Sequence, residues 1–135
     1  GKGRILIDGD DITIMGCGVT TARALLAAKE LADNGISCRV VNMSTIKPMD
    51  KSLVLKCAEE TKGIVTVEDH NVYGGLGGAV AEILVCNNPV PMEHVGVLDI
   101  FGESGEPSEL AKKYKINVNS IVKSVKKLLE RTKSF

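Results

Sequence analysis

Three polar residues in a row, Glu68, Asp69 and His70, follow an apolar run and precede four glycines, Gly74, Gly75, Gly77 and Gly78. Two carboxylates and an imidazole are groups that acid–base catalysis or a metal centre would use. A glycine-rich helix start can cradle an anion through free backbone N–H groups and the helix dipole. Cys17, between Gly16 and Gly18, is a second candidate, because a helix N-terminus stabilises a thiolate. With His70 at the end of a later parallel strand, a Cys–His nucleophile pair is geometrically conceivable.

Each feature also has a plainer reading. A metal needs more ligands than this cluster supplies, and the other histidine, His94, falls in a separate strand. Adjacent residues on an extended segment point in alternating directions, so at most two of the three polar groups converge. The glycines carry no following Lys-Ser/Thr pair, so they are not a P-loop. Gly16-Cys17-Gly18-Val19-Thr20-Thr21 lacks the third glycine of a dinucleotide fingerprint, and Val41 and Asn42 stand where its ribose-binding acid belongs. Two glycines also serve to turn a strand tightly into a helix. We therefore assign no catalytic, cofactor-binding or metal-binding residue. Glu68, Asp69, His70, Gly74, Gly75, Gly77 and Gly78 are read as an interface loop. Its polar groups are expected to hydrogen-bond across a contact, and its glycines to let this helix pack close to another backbone.

The elements that must hold this loop are legible from periodicity. Ile5–Ile7 reads as a short strand, and 11–15 as a buried strand ending at Gly16-Cys17-Gly18. A helix is expected from Thr20 to about Asn34, with Ala24, Ala27, Ala28, Leu31 and Ala32 inward and Arg23, Lys29, Glu30 and Asp33 outward. Gly35 sits where a left-handed C-cap belongs. Ser37–Val41 is a further strand. Pro48 disfavours helix through Lys47, and Asp50 can cap a helix that buries Leu53, Val54, Cys57 and Ala58. Gly63–Val67 feeds the polar cluster, after which Leu76, Ala79, Val80, Ile83 and Leu84 recur at helical spacing. Met92–Leu98 is another strand, with Val95 and Val97 on one side. A polar loop, 101–107, then leads to a short helix, and Asn117 or Asn119 is expected to cap a separate last helix burying Ile121, Val125, Leu128 and Leu129. Alternating strands and helices of this kind give a single α/β domain over 1–135, three-layered, with a mostly parallel sheet and helices on both faces. The near-continuous apolar strands fit a sheet covered on both sides.

Composition narrows the function classes. At 135 residues the chain can close one ordinary core, with 44 % apolar and 25 % charged residues and a net charge of zero. Nucleic-acid and polybasic membrane surfaces need an excess of Lys and Arg that is absent here. Two Tyr, two Phe and no Trp leave little for base stacking. No apolar run is long enough to span a bilayer, and no signal peptide is recognised at the start. Gly1 in place of Met leads us to expect a processed or excised piece. Cys17, Cys38, Cys57 and Cys86 form no C-x-x-C and lie in or beside apolar segments, as buried reduced thiols do. A cytoplasmic protein without a metal site is expected.

Glu68-Asp69-His70 with Gly74-Gly75-Leu76-Gly77 and Ala81-Glu82 resembles the C-terminal domain of transketolases. Thr45-Ile46-Lys47-Pro48-Met49-Asp50 looks like that family's T-I-K-P-x-D turn, and Gly16-Cys17-Gly18-Val19-Thr20 resembles its first strand–helix turn. Phe101-Gly102-Glu103-Ser104-Gly105 with Glu109-Leu110 resembles its late loop, and Gly1-Lys2-Gly3-Arg4 the strand that enters the domain. The resemblance covers essentially the whole chain in order. Related domains close deoxyxylulose-phosphate synthase and the beta subunits of 2-oxoacid dehydrogenases, with less similar polar loops. The resemblance implies an enzyme that moves two-carbon ketol units between sugar phosphates with thiamine diphosphate and magnesium. It also implies that other domains hold that cofactor, so this domain alone binds none, is inactive, and serves domain packing and dimer formation. The implied partners are the remaining transketolase domains or subunit and a second copy of the chain. A stand-alone interaction or regulatory module and a small enzyme using Cys17 and His70 are the two competing readings.

Overall fold

The computed structural model describes residues 2–69, 75–97 and 107–133, with backbone alone for residue 97 and for 107–116. Five strands form one sheet: β1 (Arg4–Ile7), β2 (Ile12–Gly16), β3 (Cys38–Asn42), β4 (Ile64–Asp69) and β5 (Met92–Val97). Their spatial order is β1-β3-β2-β4-β5. Every pairing is parallel except β1 with β3, which the sequence pattern did not reveal. The central strands β2, β3 and β4 are buried along almost their whole length, as a doubly covered sheet requires.

Four helices, α1 (Val19–Asp33), α2 (Lys51–Glu60), α3 (Leu76–Asn87) and α4 (Pro107–Thr132), supply the two outer layers. Successive strand residues part to opposite faces. Ile14, Val40 and Val65 join α1 and α4 in one core, while Met15, Val41 and Ile64 join α2 and α3 in the other. The expected three-layer α/β architecture is thus present.

Local chemistry explains the element ends. Gly35 closes α1 at φ +78°, in the left-handed region, its N–H donating to the Ala32 carbonyl. Asp50 caps α2, accepting from the Leu53 N–H at 3.2 Å and the Ser52 hydroxyl at 3.2 Å. It also accepts from the Gly3 N–H at 2.9 Å, which ties the approach to β1 onto α2. The Gly3 bond chiefly, and then those from Leu53 and Ser52, hold the Asp50 carboxyl below its ordinary range against a desolvation effect. The unfolded chain therefore takes up this proton at higher pH than the folded one. The stabilisation is complete above the ordinary aspartate value, about pH 4, and is lost as pH falls through the lower folded value. Asp50→Ala should cost about 1 kcal/mol at neutral pH and flatten the fall of stability below about pH 4. Urea unfolding repeated across that acid range checks this, and an unchanged acid slope would contradict it.

Several expectations require correction, among them that Cys86 is buried, since it is exposed. α4 is one helix of 26 residues, not two. Asn117 is buried within it and caps nothing, because Asn costs a helix interior well under about 1 kcal/mol and no Gly or Pro breaks the run. Arg23, expected in solvent, is completely buried, and Ala32, expected inward, is exposed. α1 packs on both the sheet and α4, so its buried arc is wider than its apolar stripe. The 98–106 loop and the Val97 side chain lie outside the described residues.

Candidate functional site

The glycine-rich start of α3 sits at the carboxyl end of β4, beside β5. Residues two apart on a strand share a face, so Thr66 and Glu68 of β4 both look toward α3. Glu68 is 5 % exposed. Its two oxygens accept from the Leu76 N–H at 2.5 Å and the Gly77 N–H at 2.9 Å. These are orphan donors of the first turn, where the helix dipole favours a negative charge. The anion that this helix start holds is the domain's own carboxylate.

The neighbouring glycines make room for it. A Cβ at Gly75 would stand 2.9 Å from Glu68 Oε1. A Cβ at Gly77 would stand 2.7 Å from His94 Nδ1, 3.0 Å from Thr66 Oγ1 and 3.2 Å from Glu68 Oε2. No side chain fits at either position with the carboxylate in place. Gly78 differs, being exposed with nothing within 4 Å of an added Cβ. At Gly75 and Gly77 the close approach is therefore made to side chains of β4 and β5, not to another backbone.

His94 completes the arrangement from β5. Thr66 and His94 are register partners, which brings His94 Nδ1 to 3.2 Å from Glu68 Oε2 and 3.1 Å from Thr66 Oγ1. An ionised carboxylate only accepts, so Nδ1–H donates to Glu68. Half of the imidazole remains in solvent. In the sequence His94 stands apart from the polar cluster, in a separate strand, and Thr66 carries no signal of its own. Strand alternation places Thr66 beside Glu68, but the β4–β5 register that delivers His94 has no local signal.

The other predicted loop residues divide differently. Asp69, last in β4, alternates to the sheet face opposite Glu68 and is half-buried. His70 and Gly74 lie outside the described residues. Glu68, expected to hydrogen-bond across an interface, spends both oxygens within its own domain.

Cys17 lies at the carboxyl end of β2, in a turn stitched by Thr20. The Thr20 hydroxyl accepts from the Cys17 N–H at 3.0 Å and stands 2.9 Å from the Cys17 carbonyl and 3.1 Å from that of Val67. Gly18 turns the chain at φ +58°, and a Cβ at Gly16 would press on Thr20 and Thr21. Burial first, then the charges of Glu68 and Asp69, push the Cys17 thiol above its ordinary value. These influences oppose nucleophilic activation. Burial also raises Cys57 and carries Cys38 up to about 12. Exposed Cys86 should thus label first at neutral pH, Cys17 slowly and faster as pH rises, and Cys38 and Cys57 only on unfolding. Labelling followed by peptide mass mapping checks the order. Cys17 reacting ahead of Cys86 would restore the nucleophile.

A second charged group ties the sheet edge. Arg39 on β3 is 5 % exposed in its side chain and reaches Asp8 at 2.9 Å and Glu60 at 2.7 Å, with Cys57 Sγ at 3.7 Å. Burial works against the charge, but the bonds to Glu60, Cys57 and Asp8 outweigh it and raise the guanidinium's pKa further. This cluster pins α2 and the β1 turn to β3 and offers no open position to a ligand.

Known proteins fix the family. The family described as transketolase, C-terminal domain, matches residues 1–121. The chain is 45 % identical over 131 residues to the 6-deoxy-6-sulfo-D-fructose transketolase subunit SqwH of Clostridium sp. (strain MSTE9), covering 97 % of this chain and 41 % of that protein. It is 43 % identical over 123 residues to the transketolase of Rattus norvegicus, covering 90 % and 20 % respectively. A solved structure described as a split gene transketolase, inactive beta4 tetramer, superposes with a TM-score of 0.81 at 46 % identity, over 96 % of this chain and 42 % of that one. The chain spans less than half the length of each of these proteins. Sequence and fold agree: this chain belongs to the transketolase C-terminal domain family.

Proposed function

We propose that the chain is the assembly domain of a transketolase-type enzyme that transfers two-carbon ketol units between sugar phosphates. Thiamine diphosphate and magnesium belong to the complete enzyme and are held by its other domains. This domain packs against them and contributes to self-association, with its polar loop and α3 at the contact. The observation that carries the reading is Glu68. Its carboxylate already occupies the N–H groups of α3, so the glycine-rich helix start does not fit the diphosphate of the cofactor. A related split subunit described as a beta4 tetramer supports association between copies. Among the described residues, no helix is long and apolar enough to cross a membrane. Together with zero net charge this favours a cytoplasmic protein whose partners are neither nucleic acid nor lipid.

Calorimetric titration of the chain with thiamine diphosphate and magnesium should give no saturable binding. Saturable binding that Glu68→Gln altered would reverse the assignment, because the α3 N-terminus would then be a ligand site.

A further inference from the structure

Asn34-Gly35 is the only place in the sequence where an asparagine precedes a glycine. That pair is the one most prone to ring closure, because glycine has no side chain to obstruct its own backbone nitrogen. In an open chain the Gly35 nitrogen gives its proton to water and attacks Cγ of Asn34. A C–N bond forms, the Cγ–Nδ2 bond breaks, and Nδ2 leaves as ammonia with a proton returned from water. A second water then opens the cyclic succinimide at either carbonyl. Attack at Cγ leaves an aspartate at position 34. Attack at the main-chain carbonyl leaves an isoaspartate, in which the chain runs on through Cγ with an extra backbone carbon.

Both residues are exposed, so water reaches them, yet neither reacting group is free. The Gly35 N–H donates to the Ala32 carbonyl at 3.0 Å, and Asn34 Nδ2 donates to the Glu30 carbonyl at 2.9 Å. On either side, the Asn34 and Ile36 N–H groups both donate to the Leu31 carbonyl at 2.9 Å. Asn34 is held at φ −98° and ψ 11°. With ψ near zero the Gly35 nitrogen is eclipsed with that of Asn34, whereas ring closure needs it in line with Cβ. The end of α1 needs glycine at position 35 for its φ of +78° alone, since nothing lies within 4 Å of an added Cβ. The cap thus creates the reactive pair and also restrains it. We propose that Asn34 is a deamidation site which the C-cap of α1 keeps closed, and that opening of this cap exposes it to a one-way change. The product cannot rebuild the same end. A carboxylate has no N–H to give the Glu30 carbonyl, and it sets a negative charge beside Asp33 at the negative end of the helix dipole. Lys126 and Lys133 line the same cleft as Asn34, but both are exposed, so solvent screens their compensation.

The test incubates the folded chain beside a synthetic peptide of residues 30–39 in mildly alkaline buffer. Conversion at Asn34 is followed by peptide mass mapping, with the aspartyl and isoaspartyl forms separated by chromatography. The peptide should convert about tenfold faster or more, because in the folded chain only the opened fraction of the cap reacts. Asn34→Asp makes one of the two products directly and should lower the unfolding temperature by about 2–4 °C. Equal rates in chain and peptide would show that the cap does not guard the site. A peptide that stays unconverted would remove the site itself. An unfolding temperature that Asn34→Asp leaves unchanged would overturn the claim that the product cannot rebuild the helix end.

Discussion

Glu68→Ala is expected to destabilise the domain by about 3 kcal/mol, the largest loss from any single truncation at the site. The side chain is buried and accepts from two N–H groups of α3, Leu76 and Gly77. Truncation leaves both buried donors without an acceptor, at about 1–3 kcal/mol each, and removes a negative charge from the end of the helix dipole that favours it. Glu68→Gln keeps one acceptor oxygen and should cost about half as much. His94→Ala should cost less again, because half of that ring is already in solvent. Urea unfolding of the three variants at neutral pH gives the order directly. A Glu68→Ala loss below that of His94→Ala would show that the carboxylate is not what starts α3.

Gly77→Val should destabilise the isolated domain by about 2–3 kcal/mol, as overpacking of a filled site does. The first added carbon alone meets His94, Thr66 and Glu68, at 2.7, 3.0 and 3.2 Å. Only the ring and carboxylate can give way, and moving them breaks the bonds that hold the helix start. Gly77 was expected to give this helix close approach to another backbone, but the space that it leaves is filled by side chains of its own domain. The neighbouring glycine reverses the sign. Gly78 is exposed and unobstructed, so Gly78→Ala should stabilise by about 0.5–1 kcal/mol through helix propensity. Thermal unfolding of the two variants side by side decides the matter. Equal shifts would mean that both glycines face solvent.

The fold was legible where one segment carried its own signal. Gly35 and Asp50 terminate helices through their own backbone and side chain, and both ends stand where the residues indicate. The alternation Ile14/Met15, Val40/Val41 and Ile64/Val65 reads directly as two cores on two faces. Legibility failed where two distant segments meet. The antiparallel edge strand β1 depends on which strand it finds. Arg23 is buried by layers on two sides of α1. The site itself was half legible. Glycines next to an acid-rich strand end pointed to a packed helix start, but the residues alone did not say that Glu68 fills it. That depends on the side of β4 from which α3 returns, and His94 arrives only through the β4–β5 register.

The central claim, that this chain is a component of a transketolase-type enzyme and not an enzyme alone, has a direct measurement. Ketol transfer between sugar phosphates, with thiamine diphosphate and magnesium supplied, is followed for the chain alone and after mixing with the polypeptide that carries the remaining family domains. The chain should give no turnover alone, turnover in the mixture, and a stable complex with the other polypeptide. Turnover by the chain alone, or a mixture that forms neither complex nor product, would contradict it.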